Sequence, residues 1–294
     1  MSYRKGVVLV LVAAVLWSLI GLALRQIEVA GTWAVLFWRS AGMVPVLALW
    51  VALNAGGAIL GPVRRTGRAG VLGGLGLVLA FAGAIYAIQT TTIANAVLLF
   101  AASPFLAAVL GWLVLGERVR GATWAAIAVA LVGMAVMVAG GISGGALLGN
   151  LAALLSALGF ALFTVMLRWG RLDDMMPAVI LGGVFSMLVA LVGLGVTGAP
   201  LLVPLRDIVT AVGMGAVLLA LGMALYTLGS RVVPAAELTL LSMIEVLLAP
   251  LWVWLVLGET AAGATLAGGV LVMGAIVFNA LSGARRKPPA PPMT

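Results

Sequence analysis

The stretch GWLVLGERVRGATW, Gly111–Trp124, returns near the C-terminus as VWLVLGETAAGATL, Val253–Leu266. Both copies contain LVLGE and, three residues later, GAT, and the second copy lies 142 positions after the first. The first copy carries Arg118 and Arg120 between the two identical pieces, whereas the second copy has no charge there. A repeated motif that loses its positive charges in one copy raises the question of where each copy lies in the molecule.

The composition of the 294-residue chain indicates a membrane protein. Hydrophobic residues make up 64% of it and charged residues 8%, whereas soluble proteins contain about 25% charged residues. Several apolar runs reach the ~20 residues that a helix needs to cross the hydrocarbon core. Backbone groups in lipid must be hydrogen-bonded within helices or closed barrels, and the chain lacks the alternating segments of barrel strands. The sequence therefore predicts an all-α integral membrane protein.

The residue types that the chain lacks exclude several functions. It has no cysteine and no histidine, which removes disulfides, thiolate and imidazole metal sites, and Ser-His or Cys-His catalytic pairs. Its two lysines, Lys5 and Lys287, lie near the termini, so no P-loop can bind ATP. Asp173 and Asp174 form one acidic pair without a second acidic motif, which is typical of a solvated loop. We therefore expect no enzymatic activity, no metal and no cofactor.

Ten apolar segments are predicted to be membrane-spanning helices. Their expected bounds are 6–24, 32–53, 69–89, 94–116, 121–140, 146–167, 176–197, 208–229, 235–257 and 262–281. Residues 1–140 would form a first five-helix repeat and residues 141–284 a second, and the basic, proline-rich residues 285–294 are expected to be a disordered cytoplasmic tail. The first apolar run is too long for a signal-peptide core, so we expect it to remain as an uncleaved span.

The positions of Lys and Arg predict the orientation of these helices. If the N-terminus is cytoplasmic, the outer connections contain only Arg25 and Arg206, and Arg39 lies within the second span. The inner segments contain Arg4, Lys5, Arg64, Arg65, Arg68, Arg118, Arg120, Arg168, Arg171, Arg231, Arg285, Arg286 and Lys287. This is a strong positive-inside signal, so both termini are predicted to be cytoplasmic, in a bacterial inner membrane. The net charge of +8 thus follows the membrane topology, and no nucleic-acid partner is expected.

The predicted orientation explains the two forms of the repeated motif. The first LVLGE ends the fourth span at the cytoplasm, where Arg118 and Arg120 favour an inside position. The second ends the ninth span at the outer side, where arginines would oppose the topology. Leu11–Arg25 also resembles Leu154–Arg168, more loosely. Because each half has five spans, an odd number, the second half is inverted relative to the first. Inverted repeats recur in secondary transporters, which expose a central site alternately on the two sides.

The segment ANAVLLFAASPFLAAVLGWLVLGERVRGATWAAIAVALVGMAVMV, residues 94–138, resembles the EamA branch of the drug/metabolite transporter superfamily. In that branch each repeat contains a proline-bearing helix that ends in an (L)xLGE turn, followed by a helix with a central glycine. The matching residues are Pro104, Leu115, Gly116, Glu117 and Gly133 in the first copy, and Leu257, Gly258, Glu259 and a displaced Pro250 in the second. The resemblance extends over nearly the whole chain. It implies a metabolite transporter, with YddG-like exporters of aromatic and neutral amino acids as the nearest match.

Charged and polar residues within the spans are candidates for the translocation site. Glu245 lies near the centre of the ninth span, where a carboxylate is costly unless it is neutral, paired or hydrated. It is predicted to bind an ammonium group or couple protons, or alternatively to join helices. Ser103 is its equivalent in the first half. Asn95 begins the fourth span, and its equivalent Glu237 would complement the dipole of the ninth helix.

Arg39 is the only cation predicted to lie within a span. It would hold a substrate carboxylate through two hydrogen bonds, or alternatively snorkel outward or pair with another helix.

Aromatic residues and helix breaks complete the candidate site. Tyr86 and Tyr226 are equivalent in the two halves. Together with Trp17 they would form walls for an apolar or aromatic side chain, or alternatively anchor helix ends among the lipid headgroups. Pro104 and Pro250 each remove a backbone hydrogen bond, and such breaks often line cavities.

These features together predict a secondary transporter that exports small organic metabolites, with amino acids as the expected substrates. It would work by alternating access around a cavity between the repeats. A lone membrane carboxylate would also suit an efflux transporter of lipophilic cations, and a passive channel is a further alternative. Because both inverted halves are fused in one chain, we expect the monomer to be functional.

Overall fold

All the regular secondary structure in the described part of the chain is helical. The computed structural model describes residues 2–142, 146–172, 174–230, 232–233, 241 and 244–284. Within them, nine helices are long and apolar enough to span a membrane, and Ile244–Leu257 is a shorter apolar helix. The prediction of an all-α membrane protein is confirmed. Glu237, Asp173, Arg231 and the tail 285–294 lie outside the described residues.

The helices, numbered in chain order, correspond to the ten predicted spans and one additional short helix. Their bounds are α1 Tyr3–Arg25, α2 Thr32–Asn54, α3 Leu60–Arg65, α4 Gly67–Thr90, α5 Ile93–Phe100, α6 Ser103–Leu115, α7 Gly121–Ile142, α8 Leu147–Trp169, α9 Met176–Thr197, α10 Leu205–Gly213, a π-helical segment Met214–Leu221, α11 Gly222–Ser230, α12 Ile244–Leu257 and α13 Gly263–Ala284.

The fourth predicted span, 94–116, consists of two helices rather than one. α5 ends at Phe100 and α6 begins at Ser103. Pro104 lies in the first turn of α6, where a missing N–H costs nothing because first-turn donors have no partner within the helix. The chain therefore starts a new helix at this proline instead of kinking through it. Pro250, by contrast, lies inside α12.

The eighth span departs from a regular α-helix at its centre. The π-helical segment Met214–Leu221 joins α10 to α11. A Cβ atom on Gly215 would lie 1.9 Å from the carbonyl oxygen of Arg39, so α2 and the π-helical segment touch backbone to backbone. No side chain fits there, which explains the glycine. π-Helical turns are frequent at functional sites, and this one lies directly beside the predicted intramembrane cation.

Equivalent helices of the two halves run in opposite directions. α7 and α13 are the fifth spans of their halves, and Gly133 packs against Gly268 where they cross. Ten residues nearer the start of α7, Thr123 donates a hydrogen bond to Asn279, which lies near the end of α13. The two helices are therefore antiparallel, as the inverted repeat predicts. The prediction of an inverted two-repeat fold is confirmed.

Packing divides most of the helices into two groups. In the α4–α8 group (α4, α5, α6, α8 and α9), α8 of the second half packs along α4 and α6 of the first. In the α1–α11 group (α1, α2, α10, the π-helical segment, α11 and α12), α1 and α2 pack on second-half helices. The two groups meet mainly where α2 packs on α9, and α7 and α13 pack on each other beside the α4–α8 group. Each group thus mixes both repeats, and neither repeat forms a packed unit by itself.

The α4–α8 contact depends on small residues. A Cβ atom on Gly76 would lie 2.7 Å from the carbonyl oxygen of Gly159, and one on Gly159 would lie 2.5 Å from that of Gly76. One turn away, Ser156 Oγ donates to the carbonyl oxygen of Ala80 at 2.7 Å. Small residues allow membrane helices to approach closely, which replaces the hydrophobic driving force that lipid does not provide.

We expect the substitutions Gly76→Val and Gly159→Val to destabilise the protein, since each forces the two backbones apart. Overpacking of this kind costs about 1–3 kcal/mol. Gly195→Val is a matched control because a Cβ atom on this α9 glycine meets nothing within 4 Å. Thermal unfolding of the purified protein in detergent measures the difference. Equal losses at all three positions would show that helix propensity, rather than the close contact, is responsible.

Candidate functional site

Arg39 lies buried between the two helix groups. It is 4% exposed, and its guanidinium carbon lies 4.4 Å from the ring centroid of Phe81 on α4. Its Nε and Nη2 atoms have no hydrogen-bond partner among the described residues. The face of an aromatic ring stabilises a cation but accepts no conventional hydrogen bond in the plane of the guanidinium. The arginine therefore keeps directed donors for an anionic group such as a carboxylate.

The neighbours of Arg39 hold its helix in place. Its carbonyl oxygen touches Gly215 of the π-helical segment, and the adjacent Trp38 donates from Nε1 to the carbonyl oxygen of Leu201 at 2.9 Å. The long side chain is thus anchored on the α1–α11 group and reaches toward the α4–α8 group. A movement of one group relative to the other would therefore change the surroundings of this charge.

Trp17 and Tyr226 meet where α1 packs on α11. Their ring centroids lie 5.4 Å apart with the ring planes at 40°, and Trp17 Nε1 is 3.5 Å from the carbonyl oxygen of Leu219. Both side chains are partly buried. This contact joins the first repeat to the second. That the two rings form a wall for a substrate side chain stays a prediction.

Glu245 lies on the side of α12 that faces α1. Seven residues later on the same face, Trp252 donates from Nε1 to Ser18 Oγ at 2.9 Å. Four residues earlier, Leu241 packs against Val10, as does Tyr226. Glu245 is partly buried and has no ion pair within the described residues. Glu245 is therefore a carboxylate on the α1 side of α12 without a cationic side chain paired to it among the described residues.

Arg39 and Glu245 lie at different depths. α1 and α12 run parallel, with Ser18 level with Trp252 and Arg25 level with Glu259, so Glu245 is level with the first half of α1. Arg39 is level with Gly215, which lies toward the other end of the bundle. At 1.5 Å per residue, Glu245 lies about 21 Å and Arg39 about 10 Å from the Arg25 end of their helices. The two levels therefore differ by about 10 Å.

The other predicted residues occupy separate places. Ser103 is buried at the start of α6, and Tyr86 is 37% exposed on α4. Asn95 is buried and bonded to Asn150 of α8, and it accepts a hydrogen bond from Thr265 of α13 at 3.2 Å. The structure thus brings together Trp17 and Tyr226, and separately Arg39 and Phe81; Glu245, Tyr86 and Asn95 join neither pair.

An ion pair between the halves was not anticipated from the sequence. Arg25, at the end of α1, binds Glu259 of the second LVLGE motif, with Nε 3.1 Å from Oε2. Arg25 also donates to the carbonyl oxygen of Thr91 at 2.7 Å, and Glu259 Oε1 accepts from the backbone N–H of Ile93 at 2.8 Å. These bonds connect the α1–α11 group to the start of α5 in the α4–α8 group.

The first LVLGE motif makes the reciprocal ion pair at the opposite end of the bundle. Glu117 binds Arg168, which ends α8. The glutamate of each motif therefore pairs with the arginine that ends the first span of the other half. The loose resemblance of Leu11–Arg25 to Leu154–Arg168 contained this signal, because both segments end in arginine. We call the two ends of the bundle the Arg25 end, predicted to be outer, and the Arg168 end, predicted to be inner.

Further polar contacts hold the Arg25 end together. The carboxylate of Asp207, at the start of α10, is 2% exposed and accepts backbone hydrogen bonds from Glu28, Val29 and Ala30 at 3.3, 2.9 and 2.9 Å. Gln89 of α4 donates to the carbonyl oxygen of Ala30 at 3.0 Å. The connection between α1 and α2 is thus hydrogen-bonded both to its own group and to α4.

The model of the EamA-like transporter family matches residues 4–139 and again residues 147–281. No curated protein matches the sequence. A protein of known crystal structure, 20% identical, aligns with 97% of this chain and 100% of its own, with a TM-score of 0.66. At this identity the structural match supports the fold alone.

We expect Glu259→Gln to lower the stability of the protein more than Glu28→Gln does. Glu259 and Arg25 are 22% and 26% exposed and share two backbone partners, whereas Glu28 and Arg206 are 65% and 59% exposed. Losing a partly buried charged hydrogen bond costs about 1.5–3 kcal/mol, and losing an exposed ion pair costs less than about 1 kcal/mol. Thermal unfolding in the same detergent compares them. A loss for Glu28→Gln as large as that for Glu259→Gln would contradict the expectation.

Proposed function

The chain belongs to the EamA-like transporter family and is thus a membrane transporter; we propose that it is a secondary exporter of small organic metabolites, amino acids foremost. The observation that carries the proposal is Arg39, a buried cation with unused hydrogen-bond donors between the two helix groups. A buried charge in a membrane protein is costly and marks a substrate or ion pathway. In the proposed setting, a bacterial inner membrane with both termini cytoplasmic, export runs from the Arg168 end to the Arg25 end.

A carboxylate is the substrate group that Arg39 recognises in this proposal. The guanidinium offers paired donors that match two carboxylate oxygens, and Phe81 supports it from one face. No second Lys or Arg is predicted within a span, so phosphate-bearing substrates with two or more charges lack a partner. Trp17 and Tyr226 provide the aromatic surface expected for neutral and aromatic side chains, and Glu245 provides the acceptor for an ammonium group or a coupled proton.

Alternating access in this proposal is movement of the two helix groups rather than of the two sequence repeats. The contact of α2 with α9 is the one about which the groups would turn. The Arg25–Glu259 pair, with its bonds to Thr91 and Ile93, is the latch that joins the groups at the Arg25 end. In the proposed cycle, release of a substrate to the outside requires these bonds to break.

Efflux of lipophilic cations is the second candidate function. The observation that favours it is Glu245, an intramembrane carboxylate with no ion pair among the described residues, since such a charge suits a lipophilic cation. This reading gives no role to the unused donors of Arg39, and for that reason we place it second.

Counterflow in proteoliposomes tests the proposal. With a pool of labelled amino acids, we expect saturable counterflow for the wild type and a half-saturating concentration about 10- to 100-fold higher for Arg39→Gln, since a charged hydrogen bond contributes about 1.5–3 kcal/mol. Arg39→Lys keeps the charge without the paired donors and should be intermediate. For Glu245→Gln, we expect loss of the component driven by a pH gradient while exchange persists.

The exposed Arg206→Gln variant controls for loss of positive charge and should transport as the wild type does. Absence of counterflow with every amino acid, combined with flux of lipophilic cations, would replace the proposal with its alternative. Flux that neither saturates nor shows counterflow would indicate a channel.

Thiol labelling tests the latch, because the natural chain contains no cysteine. Ser103→Cys, buried at the start of α6, is expected to react slowly with a membrane-impermeant reagent added outside the cell. Arg25→Gln in the same protein removes the latch, and labelling should become several-fold faster. Glu28→Gln, in an exposed ion pair at the same end, should leave the rate unchanged. Unchanged labelling in Arg25→Gln would show that these bonds do not close the outer end.

A further inference from the structure

The corner between α3 and α4 forms a groove at the predicted inner surface. α3 is a six-residue helix with no buried residue, and the chain turns into α4 at Gly67, whose φ of +54° suits glycine. The groove has a volume of about 550 Å³, and its walls include Val63, Arg64, Arg68, Val71, Leu72 and Leu181 of α9. It therefore combines two cations with apolar walls.

The arginines at this corner have no carboxylate partner among the described residues. Arg64, Arg65 and Arg68 are all exposed. The ion pairs in the described part of the chain instead involve Arg25, Arg168 and Arg206. The three positive charges, which lie within five residues of one another, are thus not neutralised at the surface.

The exposed arginine at the opposite end of the bundle differs in its surroundings. The guanidinium of Arg206 is paired with Glu28, and the neighbouring Asp207 adds a second carboxylate. Arg206 is therefore neutralised at the Arg25 end, whereas the arginines of the α3–α4 corner are not.

An apolar stripe leads away from the cations along α4. Leu72, Leu75 and Leu79 are exposed by 42%, 47% and 40% and recur every three or four residues, so they lie on one face. From Arg68 to Leu79 the helix rises about 16 Å, which is about half the thickness of a hydrocarbon core of ~30 Å. A charged head and a stripe one leaflet deep match the two parts of a phospholipid.

We propose that the α3–α4 groove binds one anionic phospholipid of the inner leaflet. Its phosphate group lies between Arg64 and Arg68, and an acyl chain follows Leu72, Leu75 and Leu79. Basic pockets on the cytoplasmic side of membrane proteins bind anionic headgroups in this way. The site is independent of the transported substrate, since no residue of the groove takes part in the Arg39 or Glu245 clusters. It also lies on α4 and α9, so an occupied groove would brace the α4–α8 group against the membrane.

Native mass spectrometry of the full-length protein, titrated with phosphatidylglycerol or with phosphatidylcholine of the same acyl chains, tests the site. We expect one phosphatidylglycerol to bind more tightly than phosphatidylcholine. In Arg64→Gln/Arg68→Gln this binding should weaken about 30-fold, five- to sixfold for each arginine near an anionic lipid. Arg64→Lys/Arg68→Lys should keep most of the affinity, because lysine retains the charge.

Arg4→Gln/Arg118→Gln is the matched control, since it removes two exposed charges of the same predicted side and should bind as the wild type does. The thermal stability of each variant is measured in phosphatidylcholine, and only variants as stable as the wild type are compared. This separates loss of the lipid site from loss of the fold. The proposal is overturned if the wild type does not prefer phosphatidylglycerol, if Arg64→Gln/Arg68→Gln binds it unchanged, or if the control loses as much.

Discussion

A charged group in hydrocarbon has neither water nor a hydrogen-bonding partner, so placing it there costs free energy. This cost controls the positions of the charges in the chain. Among the described residues, most charged side chains lie at helix ends, where the ion pairs Arg25–Glu259, Glu117–Arg168 and Arg206–Glu28 form. Arg39 and Glu245 are the two that lie deep within spans. Neither has an ion pair among the described residues, which is why the proposed function assigns both of them to the substrate pathway.

The duplicated motif forms the same kind of Arg–Glu ion pair at each end of the bundle, and the two pairs differ in burial and in additional hydrogen bonds. In each repeat the glutamate of LVLGE reaches the arginine that ends the first span of the other repeat. At the Arg25 end this pair also binds Thr91 and Ile93, while the Glu117–Arg168 pair is more exposed. If the protein works by the proposed alternating access, its two ends must be related but not equally stable in a given state. The reciprocal pairs would provide that difference with the same chemical groups.

Much of the architecture could be predicted from the sequence, because it depends on quantities that the sequence contains directly. Apolar length predicts the spans, and the repeat with an odd number of spans predicts the inversion. The pairing of Arg25 with Glu259 could not be predicted, since it depends on which helices become neighbours. Close backbone contacts, such as those of Gly76 with Gly159 and of Arg39 with Gly215, determine which helices pack together. The chain contains 39 glycines, so composition alone does not reveal which of them meet.

The distance between Arg39 and Glu245 constrains how they can serve one substrate. Glu245 lies about 14 residues, or about 21 Å, from the Arg25 end of α12, whereas Arg39 lies seven residues into α2 from that end, about 10 Å. In the proposed direction of export, an amino acid therefore meets the carboxylate first and the guanidinium second. Its ammonium group would be held at the inner level and its carboxylate at the outer level, so that neither contact is kept throughout. Two weak successive sites suit a carrier better than one strong site, because a substrate that bound both charges together would be slow to leave.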